Sequence, residues 1–348
     1  MVTVHGLRGN ARATAGAWWL VLVFMLAPAS ALAADAKPAP LKVSVAVGPA
    51  FALGQAAQTW ARLVNERAGD ALALRVFPGA TLAQRDAARE FATLRDGAAD
   101  MAVGSTLFWS TQVPALAVAS LPWIAPSARA LDALASGAVG DRLMQAVDGA
   151  GVVALAIAPL AHRELIATTD RVHAPSDLQG LRVRIAANAL LSDIYTGLGA
   201  LPTTMSLAAT RDAVAAGTLD AQEGTPRTFA AARAGVSGFK YVTVWQAVGE
   251  LAVFAVNKKT WDGLTEPQQG IVRAAAQEAA GELGIGAAQE SESALETLRE
   301  RGVTITRLLP PAQAAFAAAA APVTERWKAT IGADLVEAAQ AAARSALP

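Results

Sequence analysis

Apolar and polar positions along this chain repeat with two periods that trade places. Over 41–47 the apolar residues Leu41, Val43, Val45 and Val47 alternate with Lys42 and Ser44, the period of a strand, and Gly48-Pro49 ends the run. Over 54–67 the spacing of Ala57, Trp60, Ala61 and Val64 is helical, with Gly69 as the stop. The same reading predicts a strand over 71–77, a helix over 82–95 stopped by Gly97, and a short third strand over 100–103. A similar rhythm returns later. Strands are predicted over 180–185, 202–205 and 221–223, and helices over 187–198 and 207–216. Strands alternating with helices of this length imply parallel βαβ units, so the expected fold is α/β with two units, each able to carry its own sheet.

The pattern changes after Leu264. Thr265 and Gln268 have the spacing of a capping box, and Pro267 falls in the first helical turn. Helical spacing then continues to Arg301, before Gly302, a span of ~54 Å at 1.5 Å per residue. A helix of that length reaches across two lobes. Gly281, Gly284 and Gly286 lower its propensity in the middle and mark a place where it can bend. Residues 302–348 are expected to form a helical segment that packs back on the lobes.

At the other end, Arg8 and Arg12 precede an unbroken apolar stretch from Trp18 to Leu26, and an Ala-rich segment ends at Ala33. A basic start, a short apolar core and small residues before a cut have the form of a secretory signal, here 1–33. The core is shorter than the ~20 residues a spanning helix needs. An uncleaved anchor is the alternative. Without this segment the chain keeps 27 basic residues (29 less Arg8 and Arg12) against 29 acidic ones. The exported protein is expected to be soluble, slightly acidic and periplasmic, without a membrane span of its own.

Composition narrows the chemistry. The 348 residues include no cysteine, which excludes a disulfide framework, thiolate metal sites and a cysteine nucleophile. With three histidines (His5, His162 and His173), no metal site or other cofactor is expected. The balanced charge gives no basic stripe for nucleic acid. Nucleotide-binding glycine motifs and the nucleophile-elbow and zinc-protease signatures are absent. His162 beside Glu164 is the one pair suggestive of acid–base work, against the plainer reading of an ordinary hydrogen-bonded histidine. An exported two-unit α/β protein without catalytic machinery points to capture of a small molecule between lobes.

Several stretches, taken in order, carry a resemblance. They are Phe77-Pro78-Gly79, Leu94 to Met101, Val113-Pro114, Leu121-Pro122-Trp123, Asp177 to Ile185, Leu198 to Met205, Ala213 to Glu223, Asn257 and Trp261 to Leu264. Over about residues 41–330 the chain resembles the DctP-type solute-binding proteins of tripartite ATP-independent periplasmic (TRAP) transporters. The resemblance implies a two-lobe periplasmic binding protein fold, type II-like. Lobe I covers 41–160, with the chain returning at about 249–262; lobe II covers 161–248; a long helix over 265–301 spans both. It also implies capture of an organic acid anion and its delivery to TRAP membrane subunits, with no reaction. A periplasmic sensor or scavenging module, and less readily an exported hydrolase or isomerase using His162 and Glu164, are the competing readings.

The resemblance also implies a site. Arg184 matches the family's carboxylate-binding arginine, and a guanidinium holds a carboxylate through two parallel hydrogen bonds. Arg163 matches, more loosely, a second basic pocket residue, with Arg171 as a competitor. Glu223 closes the matched Gln-Glu pair. Three positions depart from the family pattern. Gly224 stands where an asparagine is common, Leu207 where an aromatic walls the pocket, and Ala209 where a glutamate opens a helix. These departures predict a ligand other than the usual dicarboxylate or sialic acid: a bulkier or more apolar monocarboxylate. Phe51, Trp109, Trp245 and Phe254 are candidate walls, with core packing the equal alternative for each. Ser105 and Thr106 are candidate hydrogen-bond donors to the ligand.

Overall fold

The structure, a computed structural model, describes residues 39–169 and 172–346, with the backbone alone at 207, 208, 234 and 236. The expected signal at 1–33 and Arg171 lie outside the described residues.

Nine strands form the sheet: β1 Leu41–Val45, β2 Leu74–Phe77, β3 Met101–Ser105, β4 Val152–Ala167, β5 Arg182–Ile185, β6 Leu201–Thr204, β7 Ala221–Gly224, β8 Tyr241–Asn257 and β9 Thr304–Arg307. Their order is β2-β1-β3-β8-β4-β7-β5-β6, with β9 paired to β8. The parallel trio β2-β1-β3 lies at one end and the parallel trio β7-β5-β6 at the other. Between them β4 and β8 pair antiparallel over nearly their whole lengths. The expectation of a separate sheet for each unit is therefore corrected: two long shared strands join the units into one sheet. Both strands are buried almost throughout, so their sequences read as continuous apolar runs without a two-residue period.

The shared strands are not regular. Arg163 pairs with Val248 and Leu165 with Thr243, so two steps along β4 face five along β8. The extra residues of β8 bulge outward, with Gln246 in the left-handed region at φ 52°. The bulge leaves backbone N–H groups without a strand partner. Glu164 accepts from two of them, Trp245 N at 2.8 Å and Gln246 N at 3.0 Å. A buried carboxylate thus replaces the missing ladder.

The long helix Glu266–Glu300 begins as expected. Thr265 Oγ1 accepts from Gln268 N, and Gln268 Oε1 accepts from Thr265 N at 2.9 Å. Val272, Ala275, Ala276, Ala279, Ala280 and Leu283 pack in one core with Trp60 and Phe254, where the Trp60 indole donates to Val272 O at 3.0 Å. Ala294, Leu295 and Leu298 pack in another core with Phe229, Phe239 and Val242. The helix therefore braces both ends of a two-lobe fold. It runs unbroken through its glycines. At Gly284 an added Cβ would come within 3.3 Å of Pro159, so the missing side chain lets helix and β4 approach closely.

The helix expected over 82–95 is shorter. Gln84 and Arg85 have positive φ (57° and 62°), which interrupts it, and a short helix forms only over Glu90–Arg95. The C-terminal segment starts with a strand, β9, before the helices Pro310–Ile331 and Ala333–Ser345. No helix among the described residues is long and apolar enough to cross a membrane.

Candidate functional site

Strand order brings the charged residues together. Arg184 is the penultimate residue of β5, next to β7, which carries Glu223. Arg163 lies on β4 where that strand meets both β7 and β8, and Glu250 follows two residues after its β8 partner Val248. The result is a cavity of about 180 Å³ at the carboxyl end of β5. Open α/β sheets hold ligands at strand ends of this kind.

Of the three arginines that line this cavity, Arg163 and Arg184 are in different states. Arg163 is engaged at all three of its nitrogens. Its Nε donates to Glu223 Oε2 at 2.5 Å and its Nη2 to Glu223 Oε1 at 3.1 Å, while Nη1 donates to Glu250 Oε2 at 2.8 Å. All three side chains are buried. Burial would weaken the charge on Arg163, but Glu223 and Glu250 outweigh it and hold the guanidinium above its ordinary pKa. Burial likewise raises Glu223, and Arg163 more than reverses that, leaving it below the usual carboxylate range.

Arg184 is only partly engaged. Its Nε donates to Met205 O at 2.9 Å, and Nη1 stands 3.8 Å from Glu223 Oε1, beyond hydrogen-bond reach. Among the described residues no acceptor is hydrogen-bonded to its two terminal nitrogens. Burial lowers its pKa, Glu223 offsets part of this and Arg163 adds to the lowering. A buried guanidinium with two donors open to a cavity gains from an added anion.

The remaining lining is of two kinds. Val47, Phe51, Leu53, Phe108 and Leu160 form an apolar wall. Opposite in chemistry are Arg227, from the helix Pro226–Ala231, and Glu290, from the long helix. Arg227 Nε donates to Ala50 O at 2.6 Å and lies 3.3 Å from Glu290 Oε1. Yet Glu290 Oε1 is buried without a hydrogen-bond partner among the described residues, because Arg227 Nε points at Ala50.

Arg184, Arg163, Phe51 and Ser105 thus line one cavity. Other expected residues stand elsewhere. Glu223 lies behind the arginines, fully buried, and also accepts from Ala186 N at 2.6 Å. Ser105 Oγ donates to Glu250. Thr106 does not reach the cavity; its hydroxyl accepts from Leu251 N at 3.0 Å. Trp245 is a core residue, packed on Trp123, Tyr195 and Phe316, with its indole donating to Arg163 O at 3.2 Å. Trp109 and Phe254 are likewise core side chains, against Phe91 and Trp60. Gly224 is buried against Phe229, and its neighbour Thr225 lines the cavity instead. Leu207 opens the helix Leu207–Ala215, but its side chain lies outside the described set.

The His162–Glu164 pair is divided between structural tasks. His162 Nε2 is 2.7 Å from Ala125 O, and burial lowers its pKa. Glu164 holds the β8 bulge; burial, partly offset by the backbone donors, raises it to about 7. Among the described residues no group of three or more His, Asp or Glu side chains could hold a metal ion. The residues the sequence did not single out are Glu250, Arg227 and Glu290.

Comparison with known proteins matches this architecture. The family profile described as bacterial extracellular solute-binding protein, family 7 (DctP) matches residues 43–330. The C4-dicarboxylate-binding periplasmic protein DctP of Rhodobacter capsulatus is 28% identical over 327 residues, covering 93% of this chain and 96% of that protein. A TRAP periplasmic solute binding protein from Ralstonia eutropha, solved with bound (S)-2-hydroxy-2-methyl-3-oxobutanoate ((S)-2-acetolactate), superposes with a TM-score of 0.83. It is 37% identical, over 88% of this chain and 99% of the other. The sugar acid binding protein of Advenella mimigardefordensis, 22% identical, shares the fold with a TM-score of 0.81 over 90% of this chain and 100% of the other.

Proposed function

From the premise that the chain belongs to bacterial extracellular solute-binding protein family 7, we propose that it captures a small monocarboxylate and hands it to TRAP membrane subunits without transforming it. One observation carries the ligand class: Arg163 is engaged by two glutamates and Arg227 is paired with Glu290, whereas Arg184 has no carboxylate hydrogen-bonded to it among the described residues. A site with one open guanidinium and an apolar wall suits one carboxylate on a short branched body. The acetolactate bound by the Ralstonia eutropha protein, itself such an acid, supports the reading.

The ligand carboxylate is expected to take the two terminal nitrogens of Arg184. Arg227 already reaches Ala50 across the cavity mouth. A ligand touching both lobes favours the closed arrangement, with the irregular stretch of β4 and β8 as the hinge. We take lobe I as 41–160 with 249–262, lobe II as 161–248, and 1–33 as the segment removed on export to the periplasm.

The test is calorimetry of the mature protein against a panel of short organic acids, for wild type and Arg184→Ala. Binding of a branched monocarboxylate by wild type, lost in the variant, is the expected result. A ligand that binds the variant undiminished would remove Arg184 as the anchor.

A further inference from the structure

Glu290 is an acidic residue in a cavity otherwise suited to an anion. It belongs to the long helix, and its Oε1 is buried without a hydrogen-bond partner among the described residues. The nearby Arg227 does not satisfy it, since the Nε that approaches to 3.3 Å donates to Ala50 O. A buried acceptor left in this state is destabilising unless something donates to it. Among the described residues, those lining the cavity do not, and a ligand hydroxyl entering the cavity would.

Charge decides what kind of ligand. The cavity is lined or backed by Arg163, Arg184 and Arg227, and by Glu223, Glu250 and Glu290. Arg163 is committed to Glu223 and Glu250, and Arg227 stands beside Glu290. One carboxylate therefore finds an open cation at Arg184. A second carboxylate entering beside Glu290 would meet a like charge, with Arg227 already engaged by that glutamate.

Building on the monocarboxylate reading, we infer that Glu290 is a specificity-determining residue: its carboxylate accepts a hydrogen bond from a ligand hydroxyl and repels a second ligand carboxylate. The site selects a hydroxy monocarboxylate over both the acid lacking the hydroxyl and a dicarboxylate. Arg227, beside it, is placed to donate to a neighbouring oxo or hydroxyl oxygen.

Calorimetry with 2-hydroxyisovalerate, isovalerate and succinate tests this in wild type, Glu290→Ala, Glu290→Gln and Arg184→Ala. Wild type should prefer the hydroxy acid to isovalerate by about tenfold or more, as a hydrogen bond to a charged acceptor supplies. Glu290→Ala should bring the two acids to within about twofold. Glu290→Gln keeps an acceptor and removes the charge, so part of the hydroxyl preference should remain while succinate affinity rises. Arg184→Ala should weaken both monocarboxylates alike. Equal binding of the hydroxy acid and isovalerate by wild type, with both lost in Arg184→Ala, overturns the role of Glu290 and leaves the carboxylate anchor standing. Wild-type preference for succinate overturns both.

Discussion

The surroundings of Arg163 and of Arg184 form two regions of one sheet that share Glu223 yet do opposite things. Around Arg163 every guanidinium nitrogen donates to a carboxylate: Glu223 takes two nitrogens and Glu250 the third. Around Arg184 one nitrogen is fixed by a backbone carbonyl and the other two face a cavity. Both side chains are about equally buried, at 9% and 10% exposed. Burial alone therefore does not make a binding residue. What separates the framework arginine from the proposed anchor is how much of its hydrogen-bonding capacity the protein leaves unfilled.

The sharpest way to break this comparison is to delete each arginine and read stability and affinity separately. Arg163→Ala leaves Glu223 and Glu250 as buried charges without their cation, and such losses cost about 3–5 kcal/mol. The melting temperature of the ligand-free protein should fall clearly, as followed by calorimetry or circular dichroism. Arg184→Ala removes no saturated pair. Its ligand-free stability should change little, while carboxylate affinity falls by about 2–4 kcal/mol, or roughly 30- to 1000-fold. If Arg184→Ala instead melts like Arg163→Ala, the two regions are one framework and the distinction is lost.

The parts of this contrast differ in how visible they were in the sequence. Arg184 was legible because it stands near the end of a short strand inside a motif, and the short parallel strands at both ends of the sheet were legible from their alternation with helices and the turn residues that bound them, with a two-residue period over 41–47. The shared strands β4 and β8 were not, because strands buried on both faces carry no alternation. Missing β8 hid Glu250, whose position next to Arg163 depends on strand pairing between distant segments. Glu290 was hidden differently. It sits in a helix rich in surface charges, where nothing local separates a carboxylate facing the cavity from one facing water. Trp245 misled in the other direction, since a large aromatic near a cleft reads as a wall until its partners Trp123, Tyr195 and Phe316 are known.

A second pair of buried carboxylates extends the comparison to pH. Glu223 has Arg163 and lies below the usual range. Glu90, buried beside β1, has no arginine partner among the described residues. Burial raises it from 4.5 to about 8, with the hydrogen bond from Ser44 Oγ (3.1 Å) offsetting part of the rise. A raised folded pKa favours the protonated native state. That stability is whole below about 4.5 and is lost as pH climbs through about 8. Glu223 has the opposite sign: its contribution is present above the unfolded value and fades as pH falls through its lowered one. Glu90→Gln, which cannot ionise, should therefore flatten the alkaline side of the stability curve and exceed wild type by about 1–3 kcal/mol near pH 9. Chemical denaturation at pH 6 and at pH 9 checks it; an equal gap at the two values would mean that Glu90 does not titrate in this way.

The smallest effect is expected from Arg182, two residues before Arg184 on the same strand. It also holds a carboxylate with two nitrogens, Nε to Asp220 Oδ2 at 2.8 Å and Nη2 to Asp220 Oδ1 at 2.6 Å. On geometry this pair rivals that of Arg163. Its surroundings differ, since Arg182 is 41% exposed and water and salt screen the attraction. Asp220 also accepts from the Arg182 backbone N–H, a bond that survives loss of the side chain. Arg182→Ala should leave ligand affinity unchanged and give the smallest loss of stability among the three arginine variants, with that loss shrinking further in high salt. A drop in affinity here would mean that the strand carrying Arg184 is positioned through Arg182. The line between framework and anchor would then run along β5, not between β4 and β5.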